Sequence, residues 1–420
     1  MYQYGRDRPV TWCADAAFMQ TEIDTLAEVA TRAPSAQPVR VEVSAVIPCL
    51  NEELTLGLCI DKAFRGFAEL GVRGEVVVAD NGSTDKSVEI AQQLGARVIH
   101  ERRKGYGAAL LRGIAEARGE IIVMADADDS YDWTAVAPFV RKIREGYDLV
   151  MGNRFQGGIM AGAMPKLHRY LGNPVLSWIA RVAFRTNISD FHCGMRAFTR
   201  AAFQKMQLQT TGMEFATEMV ANASHQGLRI AEIPVVLYPD KRNRPPHLRS
   251  FRDGWRHLRF ILTYAPDYLY LIPGVLMLLP GVVLEVLLAR GPVTCGELYL
   301  GIHFLALGSL LTLVGFNVLN LGVFAKTLMA QRYSGIKSRT VRLIQRRFSL
   351  EAGLLSGVSL ALTGTVIDVI IAANWIARFG APMDATVHLA FVATTALVLG
   401  LNLICSSFLL NMISQGSDRR

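Results

Sequence analysis

Cysteine is scarce and unpatterned in this sequence. The six cysteines, Cys13, Cys49, Cys59, Cys193, Cys295 and Cys405, include no C-x-x-C pair. That excludes a zinc cluster or a disulfide framework, and leaves buried or free thiols in a reducing compartment as the expectation. No apolar h-region follows the opening Met-Tyr-Gln-Tyr-Gly-Arg-Asp-Arg, so no signal peptide is expected. Charge is scarce as well. Asp, Glu, Lys and Arg make up 19% of 420 residues, against about 25% in ordinary soluble chains. Nor is there a recognisable Ser/His or Cys/His arrangement for a covalent nucleophile.

The shortage of charge is local. Asp267–Ile413 holds only nine Lys/Arg and six Asp/Glu, and the rest of the chain has a normal soluble density. Four apolar runs lie in that stretch, at about residues 268–288, 298–325, 353–377 and 385–413. Each can cover a hydrocarbon core of ~30 Å, so an α-helical membrane domain of four spans is expected over 267–420. Pro273 and Pro280 are expected to kink the first span. Lys326–Arg347, between spans two and three, carries seven Lys/Arg. The positive-inside tendency puts that loop, and with it the N-terminal half, on the cytoplasmic face. Asp368 lies within span three. It is either functional or a packing partner of Asn317, Asn320 or Asn402.

Residues 1–40 read as a polar arm. From residue 41 to about 240, Val- and Ile-rich runs alternate with helical stretches. Strands are expected at 41–48, 75–79, 97–100, 120–125 and 149–152, and helices at 52–70, 84–94, 107–117 and 134–144. Regular βα alternation implies an α/β domain with a parallel sheet, and ligands bind at the carboxyl ends of such strands. Those ends carry Pro48, Asn51 and Glu52; Asp80; Lys104; Asp126 and Asp128; and Arg154.

Asp126 and Asp128 follow the apolar run Ile121–Met124, and their spacing aims both carboxylates the same way on extended backbone. Hard oxygen ligands of this kind suit Mg²⁺ or Mn²⁺ bridging a diphosphate. Asp129 and Asp132 add charge nearby, and Asp132 suits a helix cap. Asp80 can accept from a ribose hydroxyl or a base N–H. Asn81-Gly82 is turn chemistry, with Ser83 or Thr84 as a cap. Gly105-Tyr106-Gly107 lacks a third glycine and sits on the third βα unit, which weighs against a dinucleotide site. Lys104 beside it is suited to a phosphate. Further on, Asp190-Phe191-His192-Cys193-Gly194-Met195-Arg196 combines an acid, a glycine and an arginine. Glu214 and Glu218 share one helix face. Lys241–Arg259 holds seven Lys/Arg just before the spans, a basic juxtamembrane segment (241–266) that suits anionic lipid better than nucleic acid.

Together Ile47–Glu53, Asp80–Asp85, Lys104-Gly105, Asp126-Ala127-Asp128 and Asp190–Arg196 resemble an inverting family 2 glycosyltransferase with the GT-A fold. With the C-terminal spans, the chain resembles the dolichyl-phosphate-mannose synthase and polyprenyl-phosphate glycosyltransferase group. The resemblance implies a nucleotide sugar as donor, a polyprenyl phosphate (undecaprenyl or dolichyl) as acceptor, and Mg²⁺ or Mn²⁺ as cofactor. It implies donor contacts from Pro48, Asn51, Glu52, Asp80, Lys104, Asp126, Arg242 and Arg244. Arg154 and Arg169 would meet the acceptor phosphate, and Asp126, Asp128, Asp190 and Arg196 would form the catalytic group. Ser130 stands where mannose synthases often carry Gln, in the metal shell with Asp126 and Asp128. Cys193 and Met195 replace the usual Ser and Phe, and Asn81 the usual Asp, which weakens a mannose assignment. The membrane is a partner, nucleic acid is not, and a homo-oligomer is allowed for. Alternatives are transfer to a lipid hydroxyl or a growing polysaccharide, or a transporter with a nucleotide-sensing domain. For a processive synthase, Gln226–Ile230 lacks the Trp of a Gln-x-x-Arg-Trp motif.

Overall fold

The computed structural model describes residues 41–241, 250–332, 349–377 and 384–415. The N-terminal arm, Arg242 and Arg244 lie outside the described residues, as does most of the basic loop between spans two and three.

Four βα units and a fifth strand open the fold. They run β1 (Val43–Cys49), α1 (Leu56–Leu70), β2 (Gly74–Asp80), α2 (Ser87–Gln93), β3 (Arg97–His100), α3 (Tyr106–Glu116), β4 (Ile121–Met124), α4 (Val136–Arg144) and β5 (Leu149–Asn153). There follow α5 (Asn173–Phe184), β6 (Arg196–Thr199), α6 (Arg200–Met206), α7 (Phe215–His225) and β7 (Ile230–Pro234). The seven strands are ordered β3-β2-β1-β4-β6-β5-β7. All neighbours are parallel except those of β6, which runs antiparallel between β4 and β5. The expected purely parallel sheet is therefore corrected to a mixed one. Because β6 runs backwards, its first residue, Arg196, sits opposite Met124 and Met151. The loop 190–195 thus reaches the same edge as the carboxyl ends of β4 and β5.

Strand side chains alternate between two cores. Val43, Ala45 and Ile47 of β1 pack with Leu56, Ile60 and Phe67 of α1 and Phe139 and Ile143 of α4. Val46, with Val77, Ile122 and Met124, faces Leu110 and Ile114 of α3 and Phe215 and Met219 of α7. The second core also takes in Phe260 and Ile261 of α8 (Ser250–Tyr264). Those two side chains are 6% and 0% exposed. Burying each is worth about 1.5–3 kcal/mol, which fixes α8 to the α/β domain. Its opposite face leaves Phe251 and Trp255 exposed beside Arg252 and Arg256, the pattern of a helix lying in a membrane interface.

The C-terminal part is helical: α9 (Ile272–Leu288), α10 (Ile302–Arg332), α11 (Leu350–Ala377) and α12 (Asp384–Gln415). Together with the helical turn Asp267–Leu271 that leads into α9, all four are long and apolar enough to cross a membrane. Pro273 opens α9 and Pro280 lies inside it. Leu298–Leu300, expected at the start of span two, instead forms a strand, β9, paired with β8 (Val293–Cys295). Helices α9 and α10 meet at glycines: a Cβ on Gly281 would lie 2.8 Å from the Gly308 carbonyl oxygen. Small residues at crossings are how spans approach closely without a hydrophobic drive between them.

Candidate active site at the carboxyl edge of the sheet

Asp80 closes β2 and is almost fully buried. Its Oδ2 accepts from the Gly82 amide at 3.1 Å and lies 3.0 Å from His100 Nδ1. Its Oδ1 accepts from the Ser83 amide at 3.0 Å. Burial alone would push this carboxyl up, but the bonds from Ser83, His100 and Gly82 outweigh it and hold the group below the usual range. Asp80 is thus an anion fixed at the strand end.

Asn51 follows β1 in the left-handed region, at φ 58°. Its amide donates to Ser83 Oγ at 2.9 Å, and its Oδ1 accepts from the Thr84 amide at 2.7 Å. Ser83 and Thr84 therefore hold Asn51, and neither caps α2, contrary to the expectation from the sequence. Glu52 is buried, and its amide donates to Ser87 Oγ at 2.8 Å. Pro48 lies half-buried within β1. Lys104 is exposed and reaches back to the Asn81 carbonyl at 2.7 Å. The glycines beside it serve packing against protein backbone. A Cβ on Gly105 would lie 2.2 Å from the Thr211 carbonyl oxygen, and one on Gly107 2.4 Å from that of Thr210.

Asp126 is half-buried just beyond β4. Its Oδ1 accepts from the Tyr106 hydroxyl at 2.9 Å, and its backbone carbonyl accepts from Trp133 Nε1 at 3.2 Å. Gly194 approaches from the other side: a Cβ there would lie 2.6 Å from Asp126 Oδ2. The Gly194 amide donates to the Tyr131 hydroxyl at 2.9 Å. Burial pushes the Tyr106 phenol well up, with Asp126 adding to it, so it stays a donor. Asp128 Oδ1 accepts from the amide and the hydroxyl of Ser130, at 3.1 and 2.6 Å. Asp129 turns away at φ 58° and is paired by Lys62 and Lys241, each at 2.6 Å. Asp132 caps the following turn through the Thr134 amide, at 3.1 Å.

Among the described residues no three His, Cys, Asp or Glu side chains converge as a metal site. The donor chemistry still fits Mg²⁺ or Mn²⁺. Such ions are commonly held by one or two carboxylates, with substrate phosphates and water completing the shell. Asp126 and Asp128 are two hard carboxylates, each fixed by a neighbouring hydroxyl.

Asp190 and Arg154 are both buried and pair bidentately, Nε to Oδ2 and Nη2 to Oδ1, each at 2.7 Å. Glu232 of β7 accepts from the Ser189 and Asp190 amides. Arg196 is fully buried and donates to three backbone carbonyls, those of Cys193, Ala216 and Phe191. It ties the 190–195 loop to the start of α7. Arg169 is half-buried; its Nη1 reaches the Ile159 carbonyl at 3.4 Å and its guanidinium sits 5.5 Å from the Tyr170 ring centre. Glu218 is fully buried and accepts from the Gln209 and Thr210 amides. Burial pushes the Cys193 thiol up to about 12, so it is no nucleophile.

The sequence pattern of glycosyl transferase family 2 matches residues 44–207, and that of the glycosyltransferase family 2 C-terminal transmembrane region matches 323–414. A low-salt glycan biosynthesis hexosyltransferase, Agl6, of Haloferax volcanii is 38% identical over 89% of this chain and 89% of its own length. The chain belongs to glycosyltransferase family 2. A dolichyl-phosphate hexose transferase of the same organism is 32% identical to this transferase over 46% of the chain and 82% of its own. Among solved structures, glucosyl-3-phosphoglycerate synthase from Mycobacterium tuberculosis aligns with a TM-score of 0.42 and 24% identity, over 53% of this chain and 78% of the other. Family and sheet topology together make the N-terminal domain of the transferase a GT-A domain, and the protein an integral membrane glycosyltransferase.

Reading the sequence overlooked Tyr106, Tyr131 and Glu232, which hold Asp126, Gly194 and Asp190. A phenol in a glycine-rich turn or a carboxylate in an edge strand carries no spacing signature. Only the sheet order brings each to its partner.

Proposed function

We propose that this transferase moves one hexosyl group from a nucleoside-diphosphate sugar, UDP-glucose before GDP-mannose, to a polyprenyl phosphate with inversion at the anomeric carbon. The observation that carries this reading is the gathering of Asp80, Asp126 and Asp128 at one sheet edge, in a domain to which the interfacial helix α8 is docked. A donor held at that edge lies within reach of an acceptor whose tail stays in the bilayer. The dolichyl-phosphate hexose transferase relative supports the same acceptor class.

Asp80, with Asn51, Glu52 and Pro48 around it, would bind the nucleoside. Lys104 and the Arg242/Arg244 pair would face its phosphates. Asp126 and Asp128 would hold Mg²⁺ or Mn²⁺, with Ser130 and Tyr106 orienting the two carboxylates. When bound, such an ion offsets charge on the departing diphosphate. The acceptor is its own nucleophile: a phosphate monoester has a second pKa near ~6 and is largely ionised at neutral pH. No side chain needs to remove a proton from it, so the chain's contribution is positioning. Arg154 and Arg169 would draw in the acceptor phosphate. Asp190 would orient Arg154 without acting as a base, and Arg196 would set the loop that carries Asp190 and Gly194. The basic loop after α10 supports a cytoplasmic catalytic domain.

The test is a transfer assay on the full chain in detergent. Undecaprenyl and dolichyl phosphate would each meet labelled UDP-glucose, UDP-N-acetylglucosamine, UDP-galactose and GDP-mannose, with Mn²⁺ or EDTA. An EDTA-sensitive, mild-acid-labile glycolipid is expected. Donor binding without product from any pair would overturn the acceptor class and favour a lipid hydroxyl or a polysaccharide end.

A further inference from the structure

The segment that leaves β7 is bonded to both halves of the site. On one side it pairs with residues 157–160, which follow Arg154. The Leu237 amide donates to the Gly158 carbonyl, and the Met160 amide to the Leu237 carbonyl, each at 3.0 Å. Gly157 lies flat against it, since a Cβ there would sit 2.2 Å from the Val235 carbonyl oxygen. On the other side it meets the turn that carries Asp126 and Asp128. The Tyr238 amide donates to the Ser130 carbonyl at 2.9 Å, and the Lys241 amide to the Asp128 carbonyl at 3.4 Å. Residues 235–241 are therefore a strap laid across the turn on both sides of Asp129.

At its far end the strap is tied by charge. Asp129 is 2% exposed, and both of its carboxylate oxygens are occupied. Lys62 of α1 pairs with Oδ1 and Lys241 with Oδ2, each at 2.6 Å. A cavity of about 590 Å³ is walled by α1, the turn and the strap. Its lining is charged or polar apart from Tyr238 and Pro239. Apolar packing does not close this gap, so the Lys62–Asp129–Lys241 bridge spans it.

The bridge has a use at the neighbouring carboxylates. Asp126, Asp128, Asp129 and Asp132 fall within seven residues, and like charges so close disfavour one another. The two lysines neutralise Asp129 and hold its side chain aside, which leaves Asp126 and Asp128 as the pair for a cation. Partners behind a metal ligand set its orientation and tune its affinity. Here the partner of Asp129 also carries the strap that bonds the backbone of Asp128 and Ser130.

We propose that Lys241 is a positioning residue for the metal: through Asp129 it seats the strap on the turn and so fixes Asp128 as an ion ligand. This deepens the reading that Asp126 and Asp128 hold Mg²⁺ or Mn²⁺, and rests on it.

The test is Mn²⁺ titration by electron paramagnetic resonance on the full chain in detergent, with UDP present. Lys241→Met should weaken Mn²⁺ about tenfold. Its melting temperature should hold, because the lysine is largely exposed and such pairs add little stability. Lys241→Arg, which can still pair with Asp129, should bind Mn²⁺ nearly as the wild type does. Asp129→Asn keeps a residue that tolerates the left-handed backbone, and should also weaken Mn²⁺ about tenfold. The double variant Asp129→Asn/Lys241→Met should be no weaker than the worse single one, since both changes break one contact. A plain charge effect gives another pattern: loss of the lysine tightens Mn²⁺ and loss of the aspartate loosens it. Opposite signs in the two variants, or full additivity in the double one, would overturn the proposal while leaving the metal reading intact. A wild-type protein that binds no Mn²⁺ would overturn the metal reading itself, and this one with it.

Discussion

Arg154 and Asp190 lie 36 residues apart in sequence and form a buried bidentate pair at the sheet edge, with both contacts at 2.7 Å. Such a pair is strong evidence of positioning and weak evidence of net stability. Breaking it from one side leaves a buried charge alone.

Asp190→Asn should therefore cost about 3–5 kcal/mol by thermal or denaturant unfolding. Arg154→Lys keeps the charge and loses the two-pronged geometry. It should raise the KM for the acceptor far more than that for the donor. Equal changes in both constants would remove Arg154 from the acceptor side.

Gly194→Ala adds a methyl group 2.6 Å from Asp126 Oδ2 and 3.1 Å from the Tyr131 ring. One of the two must move. A displacement of about 1 Å at a reacting site can lower turnover about 10²-fold. We expect that loss in kcat, with Gly194→Ser at least as impaired. Wild-type turnover in both would show that Asp126 is not held against this loop.

Ser130→Ala removes the 2.6 Å bond to Asp128. Loss of a partner that orients a metal ligand weakens metal affinity about 10–100-fold. The checking measurement is Mn²⁺ titration by electron paramagnetic resonance in the presence of UDP. Asp126→Asn should remove Mn²⁺-dependent activity altogether, and excess metal should not restore it.

His257 of α8 is pushed down to about 4 by burial, against the pull of Glu214 and Asp253. Its Nδ1 lies 2.8 Å from Thr217 Oγ1, and its ring stands 4.7 Å from that of His192. Burial lowers His192 in the same direction. With the folded value depressed, the unfolded chain takes up protons first as pH falls. Stability is full above the ordinary histidine range and is lost on the way down to pH 4. From His257 alone the loss between pH 7 and 5 is about 2 kcal/mol. His257→Gln should flatten the pH dependence of the melting temperature over that interval.

The strands β1 to β5 and the polar residues that follow them are legible in the sequence, because apolar runs and turn chemistry are local. The exception is β6. Its four residues, Arg196–Thr199, are too short to carry a period, and their direction is set by β4 and β5, whose paired residues lie 45 or more positions earlier. Ser83 and Thr84 look like a helix cap in sequence, and only the fold shows Asn51 taking up their hydrogen-bonding groups. Asp368 stands out because it interrupts a long apolar run. Glu285 escapes notice because it lies three residues from the end of one, and its burial comes with α10 and α12 packed around it.

The reversed strand β6 has a further consequence. The chain leaves the sheet after β5, runs through residues 154–195, and returns beside the point of departure. Asp80, Asp126 and Asp128, the carboxylates proposed for the donor, all end or follow strands of the set β1 to β4, and the excursion touches them at Gly194 beside Asp126. The excursion that carries Arg154, Arg169 and Asp190 is thus a detachable insert, closed at its base by two adjacent strands. Exchanging that one segment between relatives should alter which lipid is glycosylated and leave nucleotide choice untouched.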